Sequence, residues 1–443
     1  MSGNLKFACA LLIGSAITPA AFAADIQGPV SSWTGWHVGA GVGYGMVNHE
    51  LGLDLPIVPA SAEFSGIGGE GALASIEAGY DFEVGSNLLI GGLVDYTYSS
   101  ISTDLTGAIA LVGSADYELE ATHSISALLR GGRLVNDHTL MYSLIGWTHT
   151  WWNGDLGVFD NVGAPVPGLQ ASYGYETDGL TLGGGIESVI ADNMTLKLEY
   201  RYTMNEVETI FTAPGIATLD ENANVQTARA VLSYRPGVMG KAFDGSEERW
   251  TGLRAGLGGG YSMINHVIEA SAPGFGAEFS GIGGEGLFGT VELGYDMLVS
   301  DRFVVGLQGD YSYSTASTDL EAAGFGGSLT YELEATHSAS ALLRAGVLSS
   351  PDVLWYGIAG YTHTWFNGDL AINPIGVSAS YDFDQGGLTV GAGVEVMLTD
   401  AWSWKSEYRY TSLDDVNIAT FGPVSIDAAS NIQQVRSVLT YRF

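Results

Sequence analysis

Two histidine–serine pairs, His123-Ser124 and His337-Ser338, are the first residues of this 443-residue chain that could do chemistry, as a base beside a hydroxyl nucleophile. Neighbours on a strand point to opposite faces, so these pairs cannot work directly as nucleophile and base. His149 and His363 each stand in Thr-His-Thr-Trp beside Trp151 and Trp365, where an imidazole could take haem or a metal, or simply pack on the indole. Gly66, Gly68 and Gly69 form a glycine-rich run, but the lysine and helix of a phosphate loop do not follow it. The run lies in Glu63–Gly71, EFSGIGGEG, repeated letter for letter at Glu278–Gly286, and predicts a glycine bend leading into a strand. Cys9 is the only cysteine. No catalytic residue, cofactor or metal ligand is assigned, and the chain is expected not to be an enzyme.

Composition narrows the class. Against 49 Asp+Glu there are 16 Lys+Arg, a net charge of −33, which argues against nucleic acid, whose phosphates need clustered cations. Hydrophobic residues make up 46% and Gly 63 positions, too apolar for a disordered acidic chain. Lys6, the apolar run from Phe7 to Ile17 and Ala21-Phe22-Ala23 together predict a signal peptide over 1–23. Cleavage there removes Cys9, and with it disulfides, thiolate metal sites and a cysteine nucleophile. No later stretch reaches the length of a transmembrane helix.

The chain is one unit written twice. Besides EFSGIGGEG, Tyr117–Ser124 recurs at Tyr331–Ser338, Asn153–Leu156 at Asn367–Leu370, Glu199–Thr203 at Glu407–Thr411, and Tyr234-Arg235 at Tyr441-Arg442. The offset falls from 217 at Trp33/Trp250 to 207 at Arg229/Arg436, changing only in the long polar connections near 47–62, 105–116, 153–178 and 205–226. Residues 194–202 alternate apolar and polar, the period of a strand. Strands are predicted near 36–46, 72–84, 88–101, 117–134, 139–152, 179–190, 194–205 and 224–235, with equivalents in the second repeat. Long and short connections alternate strictly, as in outer-membrane barrels.

In that setting the apolar face turns to lipid. Met194, Leu196, Leu198, Tyr200 and Tyr202, with Trp402, Trp404, Tyr408 and Tyr410, are expected to face acyl chains. The inner face receives a structural set of ion pairs. In the first unit Glu77, Asp95, Glu187 and Glu199 oppose Arg130, Lys197, Arg201 and Arg229. In the second, Glu292, Asp310, Glu395 and Glu407 oppose Arg344, Lys405, Arg409 and Arg436. Four against four lets each interior neutralise itself. Inward Gly39, Gly41, Gly43 and Gly45 are expected to leave room for arginine. A self-plugged barrel is favoured over a polar conduit. The long connections carry acids such as Glu50, Asp104 and Asp369 and no Lys or Arg, which leaves divalent cations as candidate partners.

The mature start (Ala24-Asp25-Ile26, then Ser32–Gly39), the segments Gly391–Glu395 and Trp404-x-x-Glu407-Tyr408, and the end Val435–Phe443 resemble the small outer-membrane β-barrel proteins of alphaproteobacteria, the rhizobial and brucella surface-antigen or "porin family" class. The resemblance implies an all-β transmembrane antiparallel barrel in the cell outer membrane, in contact with its lipid and lipopolysaccharide. It also implies that Leu439, Tyr441 and Phe443 form the signal read by the barrel-assembly machinery. Two tandem eight-stranded up-and-down barrels are expected, over 24–236 and 250–443, joined by a periplasmic linker, 237–249; one sixteen-stranded barrel is the alternative. An envelope-structural or surface role follows from the first. A general diffusion porin follows from the second, and a third reading has the acidic outer loops bind a cation, haem or host ligand.

Overall fold

The computed structural model describes residues 32–56, 60–85, 87–109, 113–213, 217–240, 248–324, 327–373 and 376–443. The signal segment 1–23 and most of the linker lie outside them. The first repeat supplies β1 (Gly35–Leu55), β2 (Ala60–Val84), β3 (Leu88–Ile109), β4 (Gly113–Asn136), β5 (Thr139–Asp160), β6 (Pro165–Ala191), β7 (Met194–Asn205), β8 (Glu208–Ala213) and β9 (Ala217–Tyr234). The second supplies β10 (Gly252–Ala272), β11 (Phe275–Leu298), β12 (Phe303–Gly324), β13 (Gly327–Ser350), β14 (Val353–Asn373), β15 (Val377–Met397), β16 (Trp402–Phe421) and β17 (Val424–Arg442). β8 continues β7, since both pair with β9.

All seventeen strands belong to one hydrogen-bonded sheet, and the registers show that it closes twice. β1 pairs with β2 along one edge, from Gly35↔Asp81 to Leu55↔Ala60, and with β9 along the other, from Val38↔Tyr234 to Asp54↔Thr218. β10 is consumed in the same way by β11 and by β17. A strand has two edges, so neither β1 nor β10 has one to spare. Each repeat is therefore its own ring of eight staves. The sixteen-stranded alternative needs β9 against β10, whereas β9 pairs with β1 and β7. Eight staves give an interior just wide enough for side chains to fill.

The strands outrun their predicted ends at the long-hairpin side. β1 was expected to stop near 46 and continues to Leu55; β2 begins at Ala60 rather than 72. The outer reach of β2, Ala60–Gly71, is rich in Gly, Ser and Glu, so the hydrophobic alternation that marks a strand fades there, whereas β1 keeps it through Leu51, Leu53 and Leu55.

The outer ladder also joins the rings. β2 leaves β3 after Glu70↔Ser102, and its outer segment pairs instead with β12, Ser61↔Ala323 to Ser65↔Asp319. β11 leaves β12 after Glu285↔Ser317 and pairs with β3, Phe275↔Ile109 to Ser280↔Asp104. The first outer hairpin of each ring thus docks on the other ring. Register shifts at His49/Glu50 and His266/Val267 mark where the hairpins leave, as bulges redirect strands at barrel rims. Both docking edges begin at the Asp-Leu of a shared Ser-Thr-Asp-Leu, at 102–105 and 317–320.

Candidate functional site: two sealed interiors and the seam between them

Each interior is built in layers by inward-pointing residues. At the short-turn end of the first ring, Trp33, Leu89, Leu128, Leu140, Val189 and Val238 form an apolar floor. Trp250, Val304, Leu342, Leu348 and Leu354 do the same in the second. Trp33 Nε1 donates to Asp137 O at 3.1 Å, and the Arg235 guanidinium lies 5.2 Å from the Trp33 ring centre; Arg442 stands 4.6 Å over Trp250.

Above the floor sits the ionic layer. All sixteen residues expected there are buried, none more than 7% exposed. In the first ring Arg130 binds Asp81 at 3.1 Å and also Glu187, Lys197 binds Glu77, and Arg201 binds Asp95 at 2.5 Å and Glu199 at 2.6 Å. Arg229 reaches Asp95 only at 3.5 Å. In the second ring Arg344 binds Asp296 at 3.1 Å and Glu395 at 2.5 Å, Lys405 binds Glu292 at 2.5 Å, and Arg409 binds Asp310 at 2.8 Å and Glu407 at 2.6 Å. Arg436 binds Asp310 at 3.2 Å. Tyr142 and Tyr356 donate to Glu199 and Glu407 at 2.7 and 2.8 Å, under the guanidiniums of Arg130 and Arg344. Buried charges survive only when paired and hydrogen-bonded, and these are cross-linked several ways.

Sequence reasoning missed part of this layer. Asp81 and Asp296 each collect several guanidiniums, including Arg235 at 2.6 Å and Arg442 at 2.9 Å. Arg254 binds Glu292 at 2.8 Å and Asp296 at 3.1 Å, and its counterpart in the first ring is His37, 3.4 Å from Asp81. The repeated Tyr-Arg at 234–235 and 441–442 was the available signal. The inward glycines do not make room for arginine as expected: beside Gly39 and Gly41 stand Val231, Ser233, Glu77 and Ser75.

Higher still, hydroxyls bridge the ring. Thr148 contacts Ser126 at 3.0 Å and Thr181 at 2.5 Å, and Thr181 contacts Thr203 at 2.8 Å; Thr362, Ser340, Thr389 and Thr411 repeat the pattern. An apolar lid follows. Val47, Ile101, Leu119, Trp152 and Ala223 close the first ring. Ile264, Leu333, Phe366, Leu413 and Ile432 close the second.

The outer wall divides into two surfaces. Leu129 and Leu343 are 68% and 64% exposed, part of a broad outward apolar band with Val42, Ile76, Ile90, Val94, Leu257 and Leu307. Tyr200, expected among lipid, is only 6% exposed and Tyr202 is fully buried. They pack with Met46, Ala228, Tyr261 and Met263, and Tyr408 packs against the same cluster, which fills the seam between rings. A second patch there joins Ile186, Met141 and Leu198 to Val353, Val394, Val396 and Trp404. Period-two alternation places these side chains outside the ring but cannot say what lies outside, and here it is the other ring. Arg201 and Arg409 do point inward.

The seam gives EFSGIGGEG its role. The segment is not a bend but the crossover of the two exchanged hairpins, at Ile67↔Ile282. A Cβ on Gly68 would stand 3.1 Å from the Cα of Gly283, and one on Gly283 3.0 Å from the Cα of Gly68, so only glycine lets the backbones cross. The last glutamate of each copy binds the other ring. Glu70 accepts from Tyr410 at 3.0 Å and Asn431 at 2.8 Å. Glu285 accepts from Tyr202 at 3.0 Å and Asn224 at 3.4 Å. These contacts exchange equivalent residues, which is the mark of a pseudo-twofold interface.

The other candidate residues separate as follows. His123 faces out, 2.7 Å from the Tyr96 hydroxyl, while Ser124 lines the interior, so the two do not meet. His149 touches Trp147 and Trp151 but also lies 2.8 Å from Asp178 and 3.3 Å from Glu176; His363 lies 3.0 Å from Asp384. Leu439, Tyr441 and Phe443 are exposed on the last strand and at the chain end.

The model of the outer membrane protein beta-barrel domain matches residues 7–235 and again 237–429. The 31 kDa outer-membrane immunogenic protein of Brucella melitensis is 25% identical over 203 residues, covering 44% of this chain and 84% of that protein. Among solved structures, the outer membrane protein OprG of Pseudomonas aeruginosa aligns with 44% of this chain and 97% of its own at 15% identity and a TM-score of 0.26. The Pseudomonas putida toluene transporter TodX aligns with 90% and 89% at 11% identity and a TM-score of 0.27. With the family model matching both repeats, the chain belongs to the outer-membrane β-barrel domain family, carries that domain twice, and is a protein of the cell outer membrane.

Proposed function

We propose that the chain is an envelope-structural and surface-presenting protein, with at most limited passage of small solutes. The observation that carries this reading is the sealing of both interiors, by an apolar floor, an ion-paired middle and an apolar lid. Opening a path would leave buried carboxylates and guanidiniums unpaired, which is strongly unfavourable. What the fold offers the outside is a joined, acidic β-rim, made of two exchanged hairpins and their neighbours. In this reading lipopolysaccharide is the neighbour of that rim, and the barrel-assembly machinery receives the last strand through Leu439, Tyr441 and Phe443. The test is conductance of the purified full chain in planar bilayers. Silence, or only brief small events, is expected. Large stable steps would overturn the reading in favour of a diffusion channel.

A further inference from the structure

The two interiors differ in how they serve one pair of arginines above the ionic layer. In the first ring a recess of about 40 Å³ is lined by Arg201, Arg229, Leu73, Thr97, Thr203 and Thr227, among others. Both arginines are buried, 2% and 5% exposed, and both are short of partners. Arg201 uses Nε and Nη1 on Glu199 and Asp95, leaving Nη2 without one. Arg229 has only long contacts, Nη1 to Asp95 and to Thr97, both at 3.5 Å, and Nη2 to Thr227 at 3.3 Å, and its Nε has no hydrogen-bond partner.

In the second ring the same arginines are better served. Arg409 grips Asp310 with both terminal nitrogens, at 3.1 and 2.8 Å. Arg436 donates Nη2 to Gln434 at 2.6 Å and lies 5.2 Å from the Phe288 ring centre, with only Nε left over. Gln434 and Phe288 occupy the positions of Thr227 and Leu73. Of the lining positions that differ between the rings, these two carry larger side chains in the second ring and place them against Arg436, whereas in the first ring the recess lies beside two under-bonded guanidiniums.

We propose that this recess binds one small monovalent anion, a halide, between Arg201 Nη2 and Arg229 Nε, with threonine hydroxyls completing its shell. The unsatisfied groups are all donors, and guanidinium nitrogens cannot accept. A halide only accepts. A halide sets a full negative charge between the two guanidiniums, whereas a water molecule, whose protons the threonine oxygens can accept, brings only a dipole. A divalent anion would place its second charge against Asp95 and Glu199, so the site selects single charge.

The test uses the full chain crystallised from detergent and soaked in sodium bromide, with anomalous scattering as the readout. One bromide touching Arg201 and Arg229 is expected. In Leu73→Phe/Thr227→Gln, which copies the second ring at these two positions, that peak should vanish. In solution, chloride should raise the unfolding midpoint of the unaltered protein relative to gluconate at equal ionic strength, and the double variant should lose that difference. Absence of bromide between the two arginines, whether the recess is dry or holds water, overturns the proposal. So does a bromide that persists in the double variant. The scattering result on the unaltered chain stands even if the variant fails to fold.

Discussion

The two rings hold the same acids at the base of the ionic layer but serve them differently. In the second ring Arg254 reaches Glu292, Asp296 and the side-chain Oε1 of Gln308, the last at 2.8 Å. In the first, His37 stands in that position and makes no hydrogen bond with either ring nitrogen, and Leu93, in place of Gln308, joins the apolar floor. The residues change as a set. A guanidinium brings five donors into a dry interior, and the glutamine beside it supplies an acceptor. An imidazole brings fewer demands, and a leucine is then the better neighbour. A buried polar network can be traded for a more apolar one provided donors and acceptors leave together.

The comparison breaks outright if the rings are not joined as described. Ile67→Cys/Ile282→Cys places two thiols at a paired register position 215 residues apart. The paired Cα separation of an antiparallel ladder, about 4.5–5.5 Å, falls within disulfide range. Near-complete oxidative cross-linking in the intact outer membrane is expected, read as a mobility shift. No cross-link would mean that the hairpins are not exchanged.

Glu395→Ala and Glu187→Ala each strand two buried guanidiniums and should cost about 3–5 kcal/mol, read from urea midpoints of the heat-modifiable band. The second ring should lose more, because Arg254 gives it an extra buried cation. Equal losses would show that this cation is neutralised from elsewhere. His37→Arg should cost about 1–3 kcal/mol by adding unsatisfied donors. His37→Arg/Leu93→Gln should recover much of that loss, and strict additivity of the two changes would refute the paired exchange.

Tyr202→Phe and Tyr410→Phe each remove one seam hydrogen bond and should cost about 0.5–1.5 kcal/mol, nearly equally if the interface is pseudo-twofold. The smallest effect lies at the rim. Burial, and then Asp104, Glu120 and Asp155, raises the pKa of Glu118; burial, and then Asp319, Glu334 and Asp369, raises that of Glu332. Such a carboxyl holds its proton more tightly folded than unfolded, so stability is gained as pH falls through the raised value and lost as pH rises. Hydrogen exchange over 113–120 and 327–334, corrected for intrinsic rate, should slow from pH 7 to pH 5 in both rings.

Much of this was legible in the sequence. The alternation at 194–202 placed Lys197, Glu199 and Arg201 on one face, and all three are interior. The duplication fitted two rings or one of sixteen strands, and the charge set balanced within each half favoured two. Arg235 and Arg442 escaped notice because they stand at strand ends, where alternation gives way to a turn. The apolar floor and lid escaped because their residues, Trp33 and Trp152 among them, come from strands far apart in the sequence, and only ring closure brings them together. The seam was illegible for a different reason: a surface made for lipid and a surface made for another barrel are both apolar. The hint was an outward glutamate, Glu70, the last acid of a nine-residue segment copied without change, whose contacts lie on the other repeat.

The exchange of hairpins at one end, with the linker leaving from the other, has a mechanical consequence. Neither cylinder is free to spin about its own axis or to drift from its twin. The bilayer therefore meets one oblong inclusion of fixed outline, whose annular lipid runs around the pair and never between them.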